Sequence, residues 1–212
     1  WVIMVFFILS LSCWIFSRDG RRLAYVQQAT TANLYKVGVD PSKGKIAGQP
    51  VAITQGSRMA DYPDLSPDGT WLTFTSGNLQ KAFRGEEIFV IRPDGTGLRQ
   101  LTPDMNHARL PRWSPDGKRI AFYSNRSDKV EVWTINADGS GLQQITDTAG
   151  GLAWYPVWSP DGSRLAYFDA SAENTFFIEV GKHWKDQTPQ ALPSFSDPNA
   201  RFVTWSWSID GR

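Results

Sequence analysis

The feature that most constrains the fold of this chain is a tetrad, Ser-x-Asp-Gly, that recurs five times along its 212 residues. Successive copies are separated by 49, 48, 45 and 49 residues. Self-similarity at a period of this size is typical of propellers, solenoids and other repeat architectures. The chain is therefore interpreted as a series of repeated units in which each Asp-Gly pair makes a structural turn. The five pairs are Asp19 and Gly20, Asp68 and Gly69, Asp116 and Gly117, Asp161 and Gly162, and Asp210 and Gly211.

One repeat unit divides into four predicted strands. The first strand ends at Trp113, and residues 115–117 then make a tight turn, since Pro fixes φ, Asp binds nearby backbone and Gly accepts a positive φ. The second and third strands are predicted at 119–124 and 130–135, and a further turn leads to a fourth strand ending at 145–146. Four short strands in about 45 residues are typical of a propeller blade. The sequence predicts an all-β fold, a β-propeller built of four-stranded antiparallel blades.

Residues 111–146, PRWSPDGKRIAFYSNRSDKVEVWTINADGSGLQQIT, resemble the Pro-Asp-Gly repeat of TolB-type β-propellers, a unit similar to the WD repeat. The likeness extends over residues 16–212, although Arg18 and Ile209 stand where the family has proline. Such propellers commonly close with about six or more blades. Because the chain holds four full intervals and a partial fifth, we expect an incomplete ring of about four blades and a fragment of a bacterial propeller protein.

Residues 1–15 lie outside the recognisable repeat and are almost entirely apolar. As a helix, residues 1–16 would span about 24 Å at ~1.5 Å per residue, which is shorter than the ~30 Å core of a bilayer. No Lys or Arg precedes them, as one would in a secretory signal. We expect part of a preceding blade here, with a remnant of a membrane anchor or signal as the alternative, so that membrane association through this segment stays open.

Charge and motifs exclude several classes of function. With 22 Lys and Arg against 21 Asp and Glu, the net charge of +1 lacks the basic footprint of a nucleic-acid binder. The single cysteine, Cys13, leaves no intramolecular disulfide or cysteine-based zinc cluster. The sequence has no Gly-x-Ser-x-Gly elbow, phosphate loop or His-Glu-x-x-His helix. We expect no catalysis, no cofactor and no metal site within these residues.

Candidate binding residues lie on one side of the predicted blades. In an up-and-down blade the Asp-Gly turns share one side, here called the turn face, and the longer links share the opposite side, here called the loop face. Loops on a rigid scaffold commonly carry binding residues, and aromatic residues with Arg dominate interface hot spots. We expect a protein or peptide partner to contact six residues where the links enter the innermost strands. They are Tyr62, His107, Arg109, Trp154, Tyr155 and Arg201.

Structural roles compete with these assignments. Trp113, Trp158 and Trp207 recur with the repeat, which favours packing between blades over ligand stacking. Tyr62 and Tyr155 share one repeat position and could also be partly structural. The Asp-Gly turns lack the alternating carboxylates and closing Glu of an EF-hand calcium loop, so they are interpreted as turns.

The resemblance to TolB-type propellers implies a non-catalytic scaffold that binds a partner protein or peptide in a periplasmic or otherwise extracytoplasmic setting. A propeller can instead be the accessory or sensor domain of a larger protein, such as a serine peptidase of prolyl-oligopeptidase type, a bacterial protein kinase or a winged-helix transcriptional regulator. A third possibility is a glycan or ion in the channel, for which Trp154 and Tyr155 would suit sugar stacking. Fold likeness alone does not decide among them.

Overall fold

The computed structural model describes residues 11–17, 19–28, 32–56, 58–77, 85–104 and 106–192. Within these ranges the chain consists of β-strands and their connections, apart from a single 3₁₀ turn at Trp184–Asp186. The strands form four separate sheets, each of four antiparallel strands. The predicted all-β fold is confirmed.

Each sheet is one blade, and its strands follow one another in chain order. Blade 1 contains β1 (Leu11–Phe16), β2 (Arg22–Gln28), β3 (Ala32–Asp40) and β4 (Lys45–Ala52). Blade 2 contains β5 (Met59–Leu65), β6 (Leu72–Gly77), β7 (Glu87–Ile91) and β8 (Arg99–Gln100). Blade 3 contains β9 (Ala108–Trp113), β10 (Arg119–Ser124), β11 (Glu131–Asn136) and β12 (Gln143–Gln144). Blade 4 contains β13 (Ala153–Trp158), β14 (Arg164–Asp169), β15 (Asn174–Glu179) and β16 (Gln190–Ala191).

The first strands of neighbouring blades, β1, β5, β9 and β13, contact one another in sequence and form the innermost layer. Antiparallel pairing places the turn after the first strand and the turn after the third strand at one end of each blade, which is the turn face. The remaining connections lie at the loop face. This arrangement is that of an incomplete β-propeller, as the repeat predicts.

The hydrophobic core lies between the blades. Blades 1 and 2 bury Leu34 against Phe74, blades 2 and 3 bury Val90 against Phe122, and blades 3 and 4 bury Val132. Each blade therefore stabilises the next one, since a single four-stranded sheet leaves apolar faces that only a neighbour can cover.

The recurring tryptophans belong to these interfaces. Trp113 is 8% exposed in the core between blades 2 and 3, and Trp158 is 7% exposed in the core between blades 3 and 4. The prediction that they pack between blades is confirmed for both, and Trp207 lies outside the described residues.

The end of the apolar N-terminal segment is part of the first sheet. Residues 11–16 form β1, which pairs with β2 from Trp14 opposite Tyr25 to Phe16 opposite Leu23. Residues 1–10 lie outside the described residues. In the portion of the chain that the structure describes, no helix has the length and apolar character needed to span a membrane.

Candidate functional site

The innermost strands share an irregularity that shapes the loop-face end of the channel. Tyr62, Leu110 and Tyr155 have φ of 52°, 58° and 55° at one repeat position, in β5, β9 and β13. The strand register shifts at the same place in each blade, which marks a β-bulge. A proline follows each of the three residues, so the ladder cannot continue regularly there. The bulge thus presents two tyrosines at equivalent positions of blades 2 and 4.

Arg109 links blades 2 and 3 at this end. Its Nε lies 2.9 Å from Oε2 of Glu86. Its Nη2 donates a hydrogen bond to the hydroxyl of Tyr62 at 3.2 Å, and the guanidinium carbon lies 5.1 Å from the centre of that ring. An ion pair and a cation–π contact together hold the half-buried guanidinium in one orientation.

His107 also approaches Glu86. Its Nδ1 lies 3.1 Å from Oε2 of Glu86, and its backbone N–H donates to Oδ1 of Asn125 at 2.9 Å. Burial, and secondarily the charge of Arg109, lowers the pKa of His107. Both effects disfavour the protonated, charged form of the imidazole.

Two carboxyl groups face Arg109. Burial raises the pKa of Glu86 and of Asp61, and the charge of Arg109 opposes that shift in both. Asp61 is 8% exposed, and its Oδ1 accepts a hydrogen bond from the Tyr62 N–H at 2.9 Å. The site thus combines one guanidinium with two partly desolvated carboxyl groups.

Tyrosines from three blades complete the cluster. Burial raises the pKa of Tyr123 to about 12, and its hydroxyl interacts electrostatically with Arg109, Tyr62 and Tyr155. In blade 4, the ring centres of Trp154 and Tyr155 lie 6.1 Å apart in an edge-to-face arrangement. Both rings are half-buried, so each still offers surface to a ligand. We call Asp61, Tyr62, Glu86, His107, Arg109, Tyr123, Trp154 and Tyr155 the loop-face cluster.

The structure brings together several of the residues that the sequence predicted. Tyr62, His107 and Arg109 meet around Glu86, Tyr155 lies close to them, and Trp154 contacts Tyr155. Arg201 lies outside the described residues. Sequence reasoning missed Asp61, Glu86 and Tyr123. The only available signal was position, because Glu86 ends a loop-face link and Asp61 precedes Tyr62.

The Asp-Gly turns of the turn face have one repeated geometry. In blade 3, the Ser114 hydroxyl donates to Oδ1 of Asp116 at 2.6 Å, and that oxygen also accepts the Lys118 N–H at 3.1 Å. Gly117 has φ of 70°, and the backbone N–H of this residue donates to the Ser114 carbonyl. The carboxylate is thus engaged by its own turn.

The same geometry occurs at Asp19 and Gly20, Asp68 and Gly69, and Asp161 and Gly162. At Asp161, the hydrogen bond from the Ser159 hydroxyl is the main cause that lowers the pKa to about 2. Asp210 and Gly211 lie outside the described residues. In the described ranges, no three His, Cys, Asp or Glu side chains are placed to hold a metal ion together.

Comparison with known proteins finds relatives of several kinds. The chain is 28% identical over 144 residues to the uncharacterised protein Atu1656 of Agrobacterium fabrum, which covers 64% of this chain and 46% of that protein. It is 31% identical over 93 residues to dipeptidyl-peptidase 5 of Porphyromonas endodontalis, covering 43% of this chain and 14% of the peptidase. The chain therefore spans less than half the length of either relative.

A solved structure shows the same fold. TolB from Acinetobacter baumannii superposes with a TM-score of 0.69 at 20% identity, over 87% of this chain and 43% of that one. The TolB beta propeller domain family matches residues 8–212, which include all four blades. The repeated blades, the shared turn geometry and this match together show that the chain belongs to the TolB β-propeller domain family.

Proposed function

We propose that this protein is a non-catalytic scaffold whose loop face binds a partner protein or peptide. The observation that carries the proposal is the position of Arg109, which is held by Glu86 and Tyr62 between blades 2 and 3. TolB-like propellers bind protein partners in general, which supports a binding role for the propeller itself.

The loop-face cluster has the composition of an interface anchor. Arg, Tyr and Trp are the residue types that contribute most to interface hot spots, and they do so where they are partly desolvated. Because Arg109 is already oriented, its ordering on binding costs little conformational entropy. The half-buried Trp154 and Tyr155 add aromatic surface beside it. A partner with a carboxylate or backbone carbonyl beside an apolar side chain would complement this surface.

We also propose an extracytoplasmic setting. The support for it is the resemblance to TolB-type propellers, which implies the bacterial periplasm. Fractionation of source cells with a periplasmic marker enzyme tests it, and recovery of the protein with the cytoplasmic fraction would contradict it.

The partner-binding proposal is tested with the full-length protein and two variants. Arg109→Ala with Tyr155→Ala removes the anchors, whereas Lys118→Ala with Leu142→Ala changes exposed residues of the turn face. We expect chemical cross-linking followed by mass spectrometry to lose the partner in the first variant and to keep it in the second, with thermal midpoints close to wild type. Equal partner recovery in both variants would contradict the assignment, and unfolding of the first would show that its residues are structural.

A second candidate function is supported by the peptidase relative. The match to dipeptidyl-peptidase 5 covers 14% of that protein, so repeats of this kind form a small part of a larger protein there. The chain could then be the accessory propeller of a larger enzyme or regulator. The intact mass of the native protein distinguishes the two, since six or seven blades of ~45 residues give about 30 to 35 kDa. A mass twice as large, with Gly-x-Ser-x-Gly in the added sequence, would favour the peptidase arrangement.

A further inference from the structure

A cavity of about 180 Å³ lies between blades 1 and 2 at the turn face, away from the loop-face cluster. Its lining includes Ser17 and Gly69 of the two Asp-Gly turns and an apolar wall formed by Ile53, Leu65 and Leu72. We propose that this cavity is a binding site for a small aromatic carboxylic acid with a ring of about the size of indole. This site is separate from the proposed partner-binding function.

The neighbouring interfaces show what normally fills this space. The repeat positions of Ile53, Leu65 and Leu72 are occupied by Leu101, Trp113 and Ile120 between blades 2 and 3. Between blades 3 and 4 they are occupied by Ile145, Trp158 and Leu165. A Trp ring thus fills both of these interfaces, whereas blade 2 supplies only Leu65. The cavity lies where the repeat otherwise places an indole.

The interface between blades 3 and 4 also shows how such a ring is held. The guanidinium of Arg119 lies 5.1 Å from the centre of the Trp158 ring, and the indole N–H donates to the Arg112 carbonyl at 3.0 Å. Arg22 occupies the repeat position of Arg119 in blade 1 and lines the cavity. Because a guanidinium is attracted to an aromatic face, Arg22 provides the same contact for a ring that enters from solvent.

A second cation faces the cavity. Lys36 lines it at the register position that Val90 and Thr134 hold in blades 2 and 3. Its Nζ donates to the Pro93 carbonyl at 2.7 Å, which leaves further donors on the ammonium group. Among the described residues, neither Lys36 nor Arg22 forms a salt bridge within 4 Å.

Two carboxylates are near these cations, but neither lines the cavity. The charge of Arg22 is a minor cause of the lowered pKa of Asp19, and Lys36 has the same effect on Asp94. Among the described residues that line the cavity, two therefore carry a positive side chain and none carries an acidic one. An apolar slot with cations at its wall selects a ring that bears an anionic substituent.

The test measures binding of indole-3-acetate and of indole to the full-length protein by isothermal titration calorimetry. We expect both probes to bind and the acid to bind at least about fivefold more tightly, because only the acid can pair with Arg22 and Lys36. Leu65→Trp places a covalent indole in the cavity and is expected to abolish binding of both probes. Leu142→Trp adds the same ring at an exposed position of blade 3 and is expected to leave binding unchanged.

Further variants separate the ring contact from the charge contact. Lys36→Met is expected to narrow the difference in affinity between the acid and indole and to leave the affinity for indole unchanged, because Arg22 still contacts the ring. If Leu65→Trp does not fold, Leu65→Phe provides a smaller obstruction with the same expected direction. Absence of binding to the wild-type protein at millimolar probe, or undiminished binding to a folded Leu65→Trp or Leu65→Phe variant, would overturn the proposal.

Discussion

The Asp64 carboxylate accepts a hydrogen bond from the backbone N–H of Trp113 at 2.7 Å and so joins the innermost strands of blades 2 and 3. Burial raises the pKa of Asp64 from its ordinary value of 3.8 to about 6, although the charge of Arg112 opposes the shift. Asp64 and Arg112 occupy the same repeat position in successive blades. The innermost layer of strands therefore contains a carboxyl group whose pKa is raised to about 6.

Asp64→Asn is expected to increase stability at pH 7 by about 1 to 2 kcal/mol, because the amide oxygen can still accept the Trp113 N–H without a buried charge. In the wild-type protein the folded state keeps the Asp64 proton up to pH 6, whereas the unfolded state releases it near pH 3.8. Below pH 3.8 Asp64 is protonated in both states, so folding does not bury its charge. The stability of the wild-type protein therefore falls as the pH rises above 3.8, and the fall is complete once the pH has passed about 6.

Urea unfolding of both proteins between pH 4 and pH 7.5 measures this effect. The stability difference should be small at pH 4 and should grow towards pH 7, since other titrating groups are common to both proteins. A difference that stays constant over this range would contradict the assignment to Asp64.

Thr146→Val should destabilise the protein by about 2 to 3 kcal/mol. The Thr146 hydroxyl accepts the Val132 N–H at 2.9 Å and donates to Oε2 of Glu131 at 2.5 Å. Glu131 is fully buried, so the isosteric valine would leave both a carboxylate oxygen and a backbone N–H without this partner.

Thr146→Ser is the matched control, because it keeps the hydroxyl and removes only a methyl group. Its cost should stay below about 1 kcal/mol. Denaturant unfolding of the two variants gives the comparison, and equal destabilisation by serine and valine would show that packing of the methyl group matters more than the hydroxyl.

Much of the blade could be predicted because the same Ser-x-Asp-Gly turn recurs in each repeat. The predicted second strand, 119–124, coincides with β10, and the predicted third strand, 130–135, differs from β11 by one residue at each end. Each of these strands has an Asp-Gly turn at one end, and the side-chain hydrogen bonds of that turn are local. Turns that are held by such local hydrogen bonds can be predicted from the sequence.

The loop-face cluster was harder to predict from the sequence. The positive φ of Tyr62 and Tyr155 has no local cause except the proline that follows, and proline alone favours an extended preceding residue. Glu86 meets Arg109 only because the ring brings blades 2 and 3 together. Contacts between blades depend on the fold as a whole. By contrast, a comparison of the repeat copies position by position shows that blade 2 has the smaller Leu65 where blades 3 and 4 have tryptophan.

Gly117→Val is expected to destabilise the protein by more than about 1 kcal/mol, because a β-branched residue is strained at φ of 70°. Steric overlap is a minor factor, since the nearest atom of Pro67 would be 3.6 Å from the new Cβ. Gly117→Asn tests this reasoning, because asparagine tolerates the left-handed region and should cost distinctly less. Thermal unfolding of both variants measures the difference, and equal costs would argue against backbone strain as the cause.

Trp158→Leu should create between blades 3 and 4 the space that Leu65 leaves between blades 1 and 2. The variant loses a ring that is 7% exposed, its stacking with Arg119 and its hydrogen bond to the Arg112 carbonyl. Loss of this buried bulk should cost about 3 kcal/mol. Trp154→Leu is the control, since Trp154 is half-buried at the loop face and should cost less.

Addition of indole tests whether the space left by Trp158→Leu stays open. A preserved cavity should bind free indole, so millimolar indole should raise the thermal midpoint of Trp158→Leu more than that of Trp154→Leu. Arg119 would then contact the free ring as it contacts Trp158 in the wild-type protein. Equal shifts in the two variants would mean that blades 3 and 4 close over the vacated space. Neighbouring blades would then be able to approach each other when a side chain between them becomes smaller. The size of a cavity between blades would depend on how closely they can approach.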